Sequence, residues 1–166
     1  MKLLTIDPSS TRTGYALFDG PAKLLDAGYF KPIRATDSPL DRIFTMADDL
    51  AAMLERHDPE RILIETTNGK MHGNRRGGGA GMAIYGMAVG AMFATARIMT
   101  SDVEAILESD WTRRIPKDRR QAKIRVCFPQ YAKLYHEDPG ADVADAIGIG
   151  LYWFELKARR ALGRSP

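Results

Sequence analysis

Cysteine is almost missing from this chain. Cys127 is the only one in 166 residues, so no internal disulfide can form and nothing points to an oxidising compartment. Such a thiol is expected to serve as a small buried hydrophobe. The N-terminus lacks the basic, apolar and small-residue succession of a signal peptide, because Asp7 interrupts the apolar run too early; the chain reads as cytoplasmic. Hydrophobic residues at 45% and charged residues at 27% exclude a disordered or fibrous chain. The length suits one domain, 1–166, large enough to bury a core without staples. Acids are scarce late in the sequence. From Asp110 to Arg125 only Asp110 and Asp118 oppose Arg113, Arg114, Lys117, Arg119, Arg120, Lys123 and Arg125, and no acid follows Glu155. That clustering fits either the footprint of a nucleic-acid site or a solvated helix face.

Long apolar runs are also rare. The exception, Ala80 to Ala96, is uncharged, and Gly86 and Gly90 are spaced as in membrane helix pairs. It sits at the short limit for spanning and owes much of its length to Gly and Ala, so it reads as a buried central helix. Its small face allows close approach to the sheet or to a second subunit.

What is present begins with Lys2-Leu3-Leu4-Thr5-Ile6-Asp7, an apolar strand that climbs into one carboxylate. Pro8 to Gly14 forms a turn, and a second strand runs from Gly14 to Phe18. Asp7 either caps that turn or holds a metal. Asp19-Gly20 signals a hairpin, followed by a third strand within Leu24 to Phe30. Ser38 can cap a helix, with Pro39 at its first position and Asp41 in its first turn. Leu40, Ile43, Ala47, Leu50 and Leu54 give that helix one apolar face, and it ends near His57.

Arg61-Ile62-Leu63-Ile64-Glu65 repeats the opening pattern, an apolar strand terminated by an acid. Asn68 to Gly79 is glycine-rich and basic, without an apolar period. It lacks the Gly-Lys-Ser/Thr ending of a P-loop and reads as a DNA-facing loop. Val103 to Leu107 is a further strand, and a basic helix runs from about Asp118, as its cap, to Phe128. The last helix opens at Asp142-Val143-Ala144-Asp145 and stays apolar to Phe154.

Asp142 and Asp145, three apart, share one helix face. In a first turn they suit the helix dipole and can be capping acids. Yet Val143, Ala146, Ile147 and Ile149 make this helix pack inward, and acids turned inward need a cation. If the first and fourth strands are neighbours, Asp7, Glu65, Asp142 and Asp145 converge. Hard cations such as Mg²⁺ or Mn²⁺ prefer such oxygen ligands. Two of them about 4 Å apart clamp the attacking and leaving oxygens of a phosphodiester displacement.

With Ile6-Asp7-Pro8-Ser9, Thr13-Gly14-Tyr15, Ile64-Glu65 and Asp142-Val143-Ala144-Asp145-Ala146 in this order, nearly the whole chain resembles the RuvC family of Holliday-junction resolvases, of the RNase H-like superfamily and in part of phage type. The resemblance implies an α/β, RNase H-like fold with a five-stranded mixed sheet, strands 1–3 antiparallel and then parallel strands 4 and 5, flanked by helices. It implies a homodimer that nicks two strands of a four-way junction symmetrically, with the four acids as ligands of two Mg²⁺ or Mn²⁺ ions. Lys123 falls where the family keeps a catalytic lysine near the scissile phosphate. DNA contacts are expected from Lys70, Arg75, Arg76, Arg113, Arg114, Lys117, Arg119, Arg120 and Lys123, and no membrane association.

Two positions depart from the family pattern. Ser9 replaces the Gly after Asp-Pro, and Asn68 stands where bacterial members place a wedge aromatic; Met71, His72 and Tyr85 are the candidates to replace it. Rival readings are a nuclease for other branched DNA or RNA:DNA hybrids, and a non-catalytic scaffold for branched nucleic acid. A third, an actin-like kinase or ATPase, shares the first motif but needs two such domains.

Overall fold

The computed structural model describes residues 1–21, 23–32, 34, 37–67, 78–100, 102–137 and 142–163. Five strands form one sheet: β1 (Lys2–Asp7), β2 (Thr13–Asp19), β3 (Leu24–Phe30), β4 (Arg61–Thr66) and β5 (Val103–Leu107), in the order β3-β2-β1-β4-β5. β1 pairs antiparallel with β2, and β2 with β3. β1 to β4 and β4 to β5 are parallel. This is the expected RNase H-like α/β arrangement, with the two acid-terminated strands side by side at its centre.

Six helices follow in chain order: α1 (Pro39–His57), α2 (Gly78–Met99), α3 (Glu108–Thr112), α4 (Lys117–Cys127), α5 (Ala132–Glu137) and α6 (Asp142–Ala161). A short 3-10 turn at Pro129–Tyr131 leads into α5. α1 starts as its sequence dictates: Ser38 Oγ accepts the Asp41 amide at 3.2 Å, and Pro39 lies in the first turn. Removing such a cap costs about 1 kcal/mol.

Side-chain alternation along the central strands divides the core in two. Leu4, Ile6, Ile62 and Ile64 point to the face covered by α1 and α2, where Met46, Leu50, Leu54, Met92 and Ala96 meet them. Leu3 and Leu63 point to the other face, against Val143, Ala144, Ile147 and Trp153 of α6. Thr5 shares this second face, and its buried Oγ1 donates to the Ala146 carbonyl at 2.6 Å, fastening α6 to β1.

Several local expectations need correction. Leu40 is largely exposed, because at the first turn of α1 it precedes the stretch that touches the sheet. Cys127 is exposed, at the solvent-facing end of α4. Pro116, not Asp118, occupies the α4 N-cap, and Asp118 lies inside the first turn. Gly78 and Gly79 belong to α2, not to the preceding loop. α2 is not a buried helix: only Ala88, Val89, Met92 and Ala96 are covered, while Met87, Ile98 and Met99 are exposed. Among the described residues it is the one helix long and apolar enough to cross a membrane, with mean hydropathy 1.4. It lies against α1 and β4, with the half-buried Phe93 packed on the core beside the covered residues.

Candidate active site

The sheet itself brings the first two acids together. Ile6 pairs with Ile64 in the parallel register, so Asp7 and Glu65 follow one step further along adjacent strands. By alternation both share the face of Leu3, Thr5 and Leu63, the face that α6 covers. The carboxyl ends of neighbouring parallel strands are where α/β sheets usually bind ligands. α6 then brings Asp142 and Asp145 of its first turn to this end, held by the Thr5 bond and by the close approach of Asp142 to Gly14 of β2. All four predicted acids therefore converge.

Their surroundings differ. Asp145 is only 4% exposed and is engaged by Lys117 Nζ at 2.9 Å and by the Arg120 guanidinium at 3.5 Å. Asp142 accepts from Arg12 Nε at 3.2 Å. Glu65 accepts from the Trp111 indole Nε1 at 2.5 Å. Among the described residues, nothing donates a hydrogen bond to Asp7. Burial pushes its carboxyl well above the ordinary range, and the charges of Glu65, Asp145 and Asp142 push it further, with Lys117 opposing. Burial also raises Glu65 to about 7, despite the Trp111 bond. For Lys117 burial acts downward, but the hydrogen bond and charge of Asp145, with Asp7 and Asp142 behind it, outweigh burial and hold the ammonium above its usual range.

A shielded carboxylate with no donor among the described residues, facing three others, makes a group that could take a hard divalent cation. Asp7, Glu65, Asp142 and Asp145 are the residues that fit it. Among the described residues no three of them already stand in coordinating geometry, because Asp142 is drawn to Arg12, Asp145 to Lys117 and Arg120, and Glu65 to Trp111.

The predicted cations scatter. Lys117 reaches the acids, whereas Lys123 is exposed on α4 away from any described partner. Arg120 packs its guanidinium 4.7 Å from the centre of the Trp111 ring as well as meeting Asp145. Arg113 is spent on Glu155 at 3.4 Å and on the Tyr152 ring. Arg114 and Arg119 are exposed. Lys70, Arg75 and Arg76, with Asn68, Met71 and His72, lie outside the described residues. Tyr85 of α2 is partly buried, and burial, followed by the charges of Glu65, Asp7 and Glu108, raises the pKa of its hydroxyl.

Trp111 and Arg12 are the site neighbours that sequence reasoning missed. The signal for Arg12 was its place within Pro8 to Gly14; for Trp111 none was available beyond its type.

No family model matches the sequence, and comparison with curated proteins gives no match. Solved structures do match. RuvC of T. thermophilus in complex with Holliday junction substrate superposes at TM-score 0.72 and 20% identity, over 97% of this chain and 96% of that one. The fold is the RuvC fold. The yeast mitochondrial Holliday junction resolvase Ydc2 matches at TM-score 0.61 and 13% identity, over 96% of this chain and 83% of its own. The Fowlpox virus resolvase, solved with Holliday junction DNA, gives 0.52 and 15%, over 93% and 97%. The RuvC fold thus accounts for β1 through α6.

Proposed function

We propose that this protein is a metal-dependent endonuclease that resolves four-way DNA junctions as a homodimer in the cytoplasm. The observation that carries the reading is Asp7: a shielded carboxylate with no hydrogen-bond donor among the described residues, level with Glu65 on the next parallel strand and beneath the two acids of α6. The fold likeness to three junction resolvases, two of them solved with junction DNA, supports the choice of substrate.

Asp7, Glu65, Asp142 and Asp145 would hold two Mg²⁺ or Mn²⁺ ions. The ions, when bound, supply an activated water and neutralise charge on the scissile phosphate. The protein's own groups do the rest. Trp111 fixes the rotamer of Glu65 through its indole N–H. Lys117 keeps its proton and, alongside Asp145, presents a positive charge where the phosphate charge builds up. Lys123, Arg114 and Arg119 are free on the surface for the DNA backbone, with Lys70, Arg75 and Arg76 proposed to join them. Backbone contacts of this kind set position, not sequence. The exposed apolar face of α2, where a Cβ added at Gly86 or Gly90 meets nothing, is the surface proposed for the second subunit.

The deciding experiment offers purified protein four-way junctions, flaps, RNA:DNA hybrids and plain duplex, with and without Mg²⁺ or Mn²⁺. Paired symmetric nicks in the junction are expected. Preferential cutting of hybrids or flaps would move the substrate, and no metal-dependent cutting of anything would end the nuclease reading.

A further inference from the structure

The acid cluster has a basic neighbour, of which only Arg12 touches an acid. Thr11, Arg12, Lys31 and Pro32 line an open cleft of about 360 Å³ beside β3. No acid lines it. The Arg12 guanidinium lies 5.1 Å and the Lys31 ammonium 5.7 Å from the centre of the Tyr29 ring, so one aromatic ring supports both cations. Arg12 also contacts Asp142, which ties the cleft to the site. A second cleft, lined by Leu54, Glu55, Asp58, Pro59, Met99 and Thr100, lies near the start of β4 and carries two acids; it would repel a polyanion.

The register places the basic cleft. Asp7 pairs with Gly14, and Gly14 with Tyr29, so Tyr29 stands two strands across from Asp7 in the same row. Strands repeat about every 4.8 Å, which puts the two about 10 Å apart. Tyr29 packs on the α6 side of the sheet, the face that carries the acids, and Lys31 is two residues further on. Each nucleotide of the bound strand brings one phosphate, so a site this close to Asp7 lies within a few phosphates of the scissile one. It lies toward β3, whereas Lys117 comes from the segment after β5, so positive charge flanks the acids on both sides.

Building on the nuclease reading, we propose that the Thr11–Arg12–Lys31 cleft is a subsite for one backbone phosphate of the strand being cut, within a few nucleotides of the scissile bond. Lys31 and Arg12 neutralise that phosphate, the Thr11 hydroxyl donates to it, and Tyr29 holds the cations in place.

Lys31 is exposed, so its variants leave the core untouched. Junction affinity would be measured in EDTA across a range of salt for the wild type and for Lys31→Ala, Lys31→Glu and Lys31→Arg. Losing one phosphate contact flattens the salt dependence by about one unit of slope and weakens binding about eightfold at 0.1 M salt. Lys31→Ala and Lys31→Glu should do this, and Lys31→Arg should restore it. A scan of single neutral methylphosphonates near the branch should find a position that weakens wild-type binding but not that of Lys31→Ala. An unchanged slope and an unchanged scan in Lys31→Glu would overturn the subsite while leaving the nuclease reading standing. A Lys31-dependent slope in a protein that cuts nothing would uphold the subsite and end the nuclease reading.

Discussion

Gly14 and Asp142 meet backbone to backbone: a Cβ on Gly14 would overlap the Asp142 carbonyl. Gly14 is also the β2 partner of Asp7. The absent side chain thus lets α6 settle over the strand end and bring its acids to Asp7. Gly14→Ala should cost about 1–3 kcal/mol, because a carbonyl cannot move aside as a flexible side chain can. Cleavage should fall further than the lost stability explains, since the helix that carries two acids is displaced. Melting curves and cleavage assays below the variant's transition check this; normal cleavage would show that α6 tolerates the shift.

Asp7→Asn should abolish cutting and largely spare junction binding, which the basic residues supply. It should also raise the melting temperature in EDTA, because it removes a carboxyl whose ionisation is opposed by burial and by three neighbouring acids. A folded variant that loses binding and cutting together would count against Asp7 as a metal ligand.

Protonation of the acids gives a signed pH dependence. Glu65 titrates at about 7 in the fold against an ordinary 4.5, and Asp7 is shifted in the same direction. Between those values the folded protein keeps a proton that the unfolded chain releases, so stability must fall as pH rises from about 4.5 to about 7. Melting temperatures of the metal-free protein should decline over that window, and saturating Mn²⁺ should shrink the decline. A melting temperature that stays level without metal would refute the stated environment of these acids.

Trp111→Phe keeps most of the buried ring but deletes the donor to Glu65. Outer partners of metal ligands typically matter by about 10–100-fold. The expected result is a fall of that order in kcat and a weaker Mn²⁺ affinity by calorimetry, with junction KM unchanged. A rise in KM alone would assign Trp111 to packing.

Lys117→Ala and Lys123→Ala should part company. Lys117 touches Asp145, so its loss should lower kcat and leave a buried acid short of its partner. Lys123, exposed on α4, should affect only affinity and its salt dependence. The reverse pattern in single-turnover cleavage would return the catalytic role to Lys123.

Much of this site was legible because its physics is local. Asp7 and Glu65 each end an apolar run, and Asp142 and Asp145 share the spacing of one helical turn inside an inward-packing segment. Asp7 and Glu65 needed only the adjacency of β1 and β4 to meet, while Asp142 and Asp145 needed α6 packed over that end of the sheet. Trp111 sits in α3, five residues long, too short for any periodicity to announce it or to show where its indole points. Lys117 and Lys123 lie on one basic stretch, and only tertiary placement distinguishes the one that reaches Asp145. Composition marked α2 as apolar, but it does not say which apolar face the sheet covers and which it leaves bare.

The dependence of the site on α6 has a consequence for biosynthesis. A chain emerging from the ribosome carries Asp7 and Glu65 long before Asp142 and Asp145, and the last helix is also what closes one face of the sheet. Until it docks, two acids stand exposed on an unfinished layer with no counterpart above them. The group of four acids is complete only once the C-terminal helix has docked, and a chain cut short of α6 carries half of it.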